Sequence, residues 1–132
     1  DNPWLTGFSD ADGSFGIDIT KSNTHKIGYN IKITFRIKQK YDYLLKHVKN
    51  LLNGHIYMFN KGTDKEIYQY SSTNFKFAYN VIKYFSKFPP LHNSKYNNFY
   101  KWYKVYLIIQ DKKHLTQEGL DKIKSIKRNF RD

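Results

Sequence analysis

The sequence predicts an α+β fold, in the order helix, strand, strand, helix, strand, strand, helices. Three observations carry this. Tyr29, Ile31, Ile33, Phe35 and Ile37 alternate with Asn30, Lys32, Thr34, Arg36 and Lys38, the period of a strand whose sheet is covered on one side only. Leu44, Leu45, Val48, Leu51 and Leu52 then recur at helical spacing. Short turn-rich clusters, Ser22-Asn23-Thr24 and Lys61-Gly62-Thr63-Asp64, separate paired runs of strand character.

Each element has a local reason. Asn2 is a helix N-cap and Pro3 suits the first helical position, where its missing N–H costs nothing. Gly13 stops that helix, and Phe15, Ile17 and Ile19 begin a strand read over Ser14 to Lys21. The alternating run gives a second strand over Gly28 to Lys40. Asn53-Gly54 closes the leucine-rich helix. His55 to Asn60 and Glu66 to Ser72 form a second pair of strands. Their facing is open, because Tyr57, Phe59, Tyr68 and Tyr70 suit either a core or a ligand surface, core being the default for any one of them. Ala78, Val81, Ile82 and Phe85 mark a helix ending before Pro89-Pro90. Phe99, Trp102, Tyr103 and Tyr106 mark another. Leu120, Ile123 and Ile126 mark a last one, opened by Thr116 as cap with Glu118 in its first turn.

At 132 residues the chain is expected to form one domain. Its formal net charge of +12 gives a surface that attracts polyanions, nucleic acid first. A membrane surface is the weaker electrostatic option, because no segment joins a basic face to a continuous apolar one. With no cysteine, disulfides and cysteine-ligated zinc are excluded. Lys, Asn, Ile, Tyr and Phe make up 67 of the 132 residues; all are encoded largely by A and T, which points to an AT-rich, organellar genome. The chain starts at Asp1, contains only Met58 and shows no targeting pattern before its first helix, so it is expected to be a piece or processed form of a longer reading frame.

Asp10 and Asp12 fall where the first helix must end. Helix carbonyls make that end partly negative, disfavouring a carboxylate by up to roughly 1 kcal/mol. Without further information, an accidental acid before a turn is the simpler reading. The run Leu5-Thr6-Gly7-Phe8-Ser9-Asp10-Ala11-Asp12-Gly13, however, resembles the motif of the LAGLIDADG homing endonucleases and the related intron-encoded maturases. Leu, Gly, Asp, Ala, Asp and Gly match, while Thr, Phe and Ser depart from the pattern. Lys38-Gln39-Lys40 and the segment Pro90-Leu91-His92-Asn93-Ser94-Lys95-Tyr96, followed by Trp102, also resemble that family. So does the tail from Leu115 to Asn129, which looks like those of fungal mitochondrial members.

The resemblance implies an αββαββα core with a four-stranded antiparallel, saddle-shaped sheet and extra C-terminal helices. It implies that two motif helices pack together at Gly7, Asp10 and Ala11, and that Asp12 and the Ala11 carbonyl hold a divalent metal, Mg²⁺ or another such as Mn²⁺. Small residues at i and i+4, Gly7 and Ala11, suit that close approach, and a hard cation offsets the repulsion of paired carboxylates. Gln39 and Lys95 are implied as catalytic with Asp12. Alone they read as a strand-end polar group and a solvated charge. Asp10 is also explained by capping or by a hydrogen bond across the helix pair.

The polar face of the first hairpin is expected to read double-stranded DNA in the major groove through Asp18, Thr20, Ser22, Asn30, Lys32, Thr34, Arg36 and Lys38. On a random sheet it would be a solvated face. Arg36 suits guanine, Asn30 adenine and Asp18 a cytosine amino group. Lys122, Lys124, Lys127 and Arg128 touch phosphates or face water. One motif is half a site, so the expected partner is a second LAGLIDADG domain, supplied by an identical chain or by a missing half. The expected function is site-specific, metal-dependent DNA cleavage of the homing type, in a mitochondrion. The alternatives are a maturase that binds intron RNA without cutting, and a basic organellar RNA-binding structural protein.

Overall fold

In the computed structural model, which describes residues 4–6, 13–24 and 27–130, the alternating residues form an inner strand of a four-stranded antiparallel sheet. Strands β1 (Gly13–Lys21), β2 (Tyr29–Gln39), β3 (His55–Phe59) and β4 (Ile67–Ser72) lie in the order β1-β2-β4-β3. Each hairpin is antiparallel, and β2 joins the two by pairing with β4, Phe35 opposite Ser72 and Gln39 opposite Tyr68. The first hairpin closes with the Ser22 N–H donating to the Gly28 carbonyl at 2.9 Å.

All helices named here pack against one face: α1 (Tyr43–Leu52), α2 (Phe75–Lys87), α3 (Asn93–Gln110) and α4 (Gln117–Arg128), with a 3₁₀ turn at Lys113–Leu115. The arrangement is α+β, as its periodicities require. Phe15, Ile17, Ile33, Phe35, Ile37 and Tyr70 supply the sheet side of the core, and each helix contributes buried residues from one stripe. Phe15 sits at the centre, its ring 4.9 Å from Phe35, 5.4 Å from Phe85 and 5.6 Å from both Phe99 and Trp102.

The caps follow the sequence. The Thr116 hydroxyl accepts from the Gly119 N–H at 3.1 Å, and Asn74 caps α2 by accepting from the Lys76 N–H at 3.0 Å. Asn53 and Gly54, at φ 63° and 109°, end α1, and the Tyr70 hydroxyl donates to the Asn53 carbonyl from beneath the turn. A β-carbon at Gly54 would lie 2.7 Å from the Ser71 carbonyl oxygen.

One boundary is extended and one open facing is decided. Helix α3 starts at Asn93, six residues before Phe99, because its first turns are polar and leave no apolar periodicity to read; Lys95 therefore stands in the first turn of a helix. The second strand pair divides its aromatics: Tyr70 is fully buried and Tyr68 packs on the core, while Tyr57 and Phe59 are exposed. Asn2 and Pro3 lie outside the described residues. Residues 4–6 are helical. Leu5 is buried and its N–H donates to the Tyr84 hydroxyl at 3.0 Å, the Thr6 hydroxyl donates to the Phe88 carbonyl, and Trp4 meets His47 edge-on. The start of the acidic motif is thus tied to α1 and α2.

Candidate nucleic-acid interface and cleavage centre

The sheet face opposite the helices is set by register. Ser14, Gly16, Asp18 and Thr20 of β1 oppose Arg36, Thr34, Lys32 and Asn30 of β2. Arg36 and Lys38 in turn oppose Ser71 and Gln69 of β4, which oppose His55 and Tyr57 of β3. Polar and cationic side chains therefore run across all four strands on one side, a two-dimensional surface that suits a DNA groove.

The eight side chains expected to read DNA are not equivalent. Lys32, Lys38 and Thr20 are exposed; Asn30, Arg36, Asp18 and Ser22 are half-buried. Ser22 Oγ lies 3.1 Å from Thr24 Oγ1 at the hairpin tip. Thr34 must be corrected: it has no exposed surface, so it cannot touch a base. Arg36 lies over it, Nη1 donating to Thr34 Oγ1 at 3.1 Å, with Nη2 4.0 Å from Asp18 Oδ2. The residues expected to take guanine and cytosine are therefore paired with each other across the strands. In the tail, Lys122 faces Glu118 at 3.8 Å and Lys124 lies 4.3 Å above the Tyr29 ring, so the last helix reaches the turn end of the first hairpin; Lys127 and Arg128 are exposed.

Beyond Ser14 of β1, the sequence does not assign His55, Gln69 and Ser71 to this face, and it leaves Tyr57 open between core and ligand surface. Their own alternation is short and ambiguous, and only the β2–β4 register assigns their side. Gln69 Nε2 donates to Ser71 Oγ at 2.9 Å, orienting the amide, while Tyr57 stands exposed next to it.

At one end of the sheet, three chain segments meet. Lys95 Nζ donates to the carbonyl of Gly13, the first residue of β1. Helix α3 delivers it there because Phe99 and Trp102, one and two turns further on, pack against Phe15, and the Trp102 indole N–H donates to the Gly16 carbonyl at 3.1 Å. Gln39 ends β2 two residues beyond the Gly13–Ile37 pair, at the same end. Asp12, Ala11, Asp10 and Gly7 lie outside the described residues, Asp12 being the residue before Gly13 in the sequence. Among the described residues, no three His, Asp or Glu side chains gather as a metal site. No helix among them is long and apolar enough to cross a membrane.

The profile of the LAGLIDADG endonucleases matches residues 5–106. The chain belongs to this family. An uncharacterised 37.2 kDa protein of cox1 intron 2 from Schizosaccharomyces pombe is 46% identical over 123 residues, which are 93% of this chain and 36% of that protein. Probable intron-encoded endonuclease 4 of Neurospora crassa is 30% identical over 133 residues, covering 98% of this chain and 23% of that protein. The LAGLIDADG homing endonuclease I-SmaMI bound to cleaved DNA superposes with a TM-score of 0.89 at 32% identity, over 99% of this chain and 44% of that one. I-SmaMI has also been solved on an uncleaved DNA target in the presence of calcium ions, with a TM-score of 0.88. This LAGLIDADG chain therefore spans less than half the length of these relatives.

Proposed function

We propose that this chain is a single LAGLIDADG domain forming one half of a site-specific homing endonuclease that makes metal-dependent double-strand cuts in DNA. The observation that carries the reading is the ammonium of Lys95 on the Gly13 carbonyl, one residue from Asp12, beside the cationic outer face of the same sheet. The DNA-bound state of I-SmaMI supports DNA as the ligand of this domain, and the cationic outer face is the surface whose charge suits it.

The donors suit a divalent cation. Lys95 occupies the Gly13 carbonyl, which leaves the Asp12 carboxylate and the Ala11 carbonyl, both hard oxygen donors, for an ion shared with the second half. Such an ion, Mg²⁺ or Mn²⁺, supplies polarisation of the scissile phosphate and a lowered pKa for the attacking water. The chain's own contribution is positional: Lys95 offsets the charge that develops on the phosphate oxygens, and Gln39 orients water by hydrogen bonding. The second half is an identical chain or a further domain of a longer protein, in keeping with the short span over its relatives. The cox1 intron setting of the S. pombe relative supports a mitochondrial source.

The test is Mg²⁺-dependent cutting of a randomised DNA library by the full-length protein, with light scattering on the same sample. Discrete cut sites, lost in Asp12→Asn while DNA binding persists, are expected. No cutting with selective retention of intron RNA would replace this reading with a maturase, and loss of folding in Asp12→Asn would make that residue structural.

A further inference from the structure

Thr34 is the only one of the outer-face residues of β2 with no surface at all, although Lys32 and Arg36 on either side of it are accessible. The reason lies across the strand pair. Gly16 opposes Thr34, and a β-carbon at Gly16 would lie 2.5 Å from Thr34 Oγ1 and 3.7 Å from Arg36 Nη1. The space that a side chain would occupy is filled by the threonine hydroxyl and covered by the guanidinium. Arg36 thus lies along the sheet, held at Nη1 by Thr34 and flanked at Nη2 by Asp18. A guanidinium has five N–H donors; Thr34 engages one and Asp18 flanks the group at 4.0 Å without a hydrogen bond, so four remain for a ligand.

We infer that Thr34 is a specificity-determining positioning residue: with Gly16 making room and Asp18 at the side, it fixes the guanidinium of Arg36 so that its remaining donors address one guanine. This rests on the outer face being the DNA interface. A bidentate arginine discriminates only if its plane is fixed, because a freely rotating guanidinium finds phosphates and other acceptors about as readily. Thr34 orders the side chain before DNA arrives, so the ordering cost is not charged to the correct sequence alone.

The experiment is a base-preference profile of the full-length protein on a randomised target. Arg36→Ala identifies the base step that Arg36 reads. Thr34→Val, nearly equal in volume but without the hydroxyl acceptor, is expected to lower guanine preference at that step by about three- to tenfold, with pooled affinity for unrelated sequences changed less than about twofold. Thr34→Ser, which keeps the acceptor, should restore most of the preference. Asp18→Asn, at a partly exposed position, should weaken the same step and decides the matter if Thr34→Val does not fold. Uniform weakening across sequences, an effect at a different step, or an unchanged profile would overturn the inference. A wild type that binds no DNA would overturn the interface and this inference together; one that binds while the Thr34 profile stays unchanged overturns this inference alone.

Discussion

Trp102→Phe probes the link between the helical layer and the end of the sheet where cleavage is proposed. Trp102 has no exposed surface, its ring packs on Phe15, and its N–H donates to the Gly16 carbonyl. Leaving that carbonyl without its partner costs about 1–3 kcal/mol. The smaller ring leaves a void of about 40 Å³, which at ~24 cal/mol per Å³ adds about 1 kcal/mol. A total near 3 kcal/mol is a large part of the roughly 7–20 kcal/mol expected for a domain of this length. With an unfolding entropy of about 2.1 cal/mol/K per residue, it lowers Tm by about 10 °C. Urea and thermal denaturation followed by circular dichroism measure this directly. Because α3 also carries Lys95 onto Gly13, the variant should cut DNA at least about tenfold more slowly even where it is fully folded, since ångström-scale misplacement is costly. Leu45→Ala on α1 is the control: it should destabilise by about 2–5 kcal/mol yet cut normally when folded. A Trp102→Phe loss below about 1 kcal/mol, or equal cutting by both variants when folded, would refute the anchoring argument.

Lys95→Met should reduce cleavage by at least about a hundredfold while target affinity, measured by fluorescence anisotropy, changes little; loss of affinity to the same degree would make Lys95 a phosphate clamp. Gly54→Ala should destabilise by at least about 3 kcal/mol, because its φ of 109° is compounded by Ser71 and Tyr70 atoms within 2.9 Å of the new β-carbon. Gly62→Ala, at φ 79° with open space around it, should cost only about 1 kcal/mol, and equal losses in chemical denaturation would contradict this. Burial of the Tyr70 hydroxyl raises its pKa from 10.0, so the fold favours the neutral phenol. Its contribution to stability is full below the unfolded-state value near 10 and is lost as pH rises towards the folded value. Urea midpoints should hold between pH 8 and about 9.5 and fall by about 11, more steeply in wild type than in Tyr70→Phe.

The elements were legible wherever one face is buried and the segment is long enough to show a period. β2 is the clearest case, since eleven residues alternate against a helical layer. The limits are equally physical. Alternation assigns Thr34 to the polar face but cannot say that Gly16 stands opposite, and only that pairing sinks Thr34 beneath Arg36. The five residues of β3 and six of β4 give too few repeats to choose a face, so the side on which Tyr57 and Gln69 lie follows only from the pairing of β4 with β2. Lys95 had no local signal: Asn, Ser and Asn around it share its polarity, and its site is set by Phe99 and Trp102 further along α3. The acidic motif was legible by pattern, whereas Asp12 itself lies outside the described residues.

Gly16 connects the two chemistries expected of this sheet. Its carbonyl accepts Trp102 from the helix that places Lys95, and its missing side chain admits the Thr34 hydroxyl that holds Arg36. Gly16→Ala should therefore disturb recognition first, since the new β-carbon collides with Thr34 Oγ1 on the outer face while the carbonyl remains available to the indole. Trp102→Phe acts from the other side, on Lys95. If the two faces work independently, Gly16→Ala should relax base preference with little effect on the cutting rate of the best bound target, and Trp102→Phe should do the reverse. Parallel loss of both properties in both variants would mean that β1 moves as one piece, and that sequence reading and phosphodiester cleavage are coupled through its backbone.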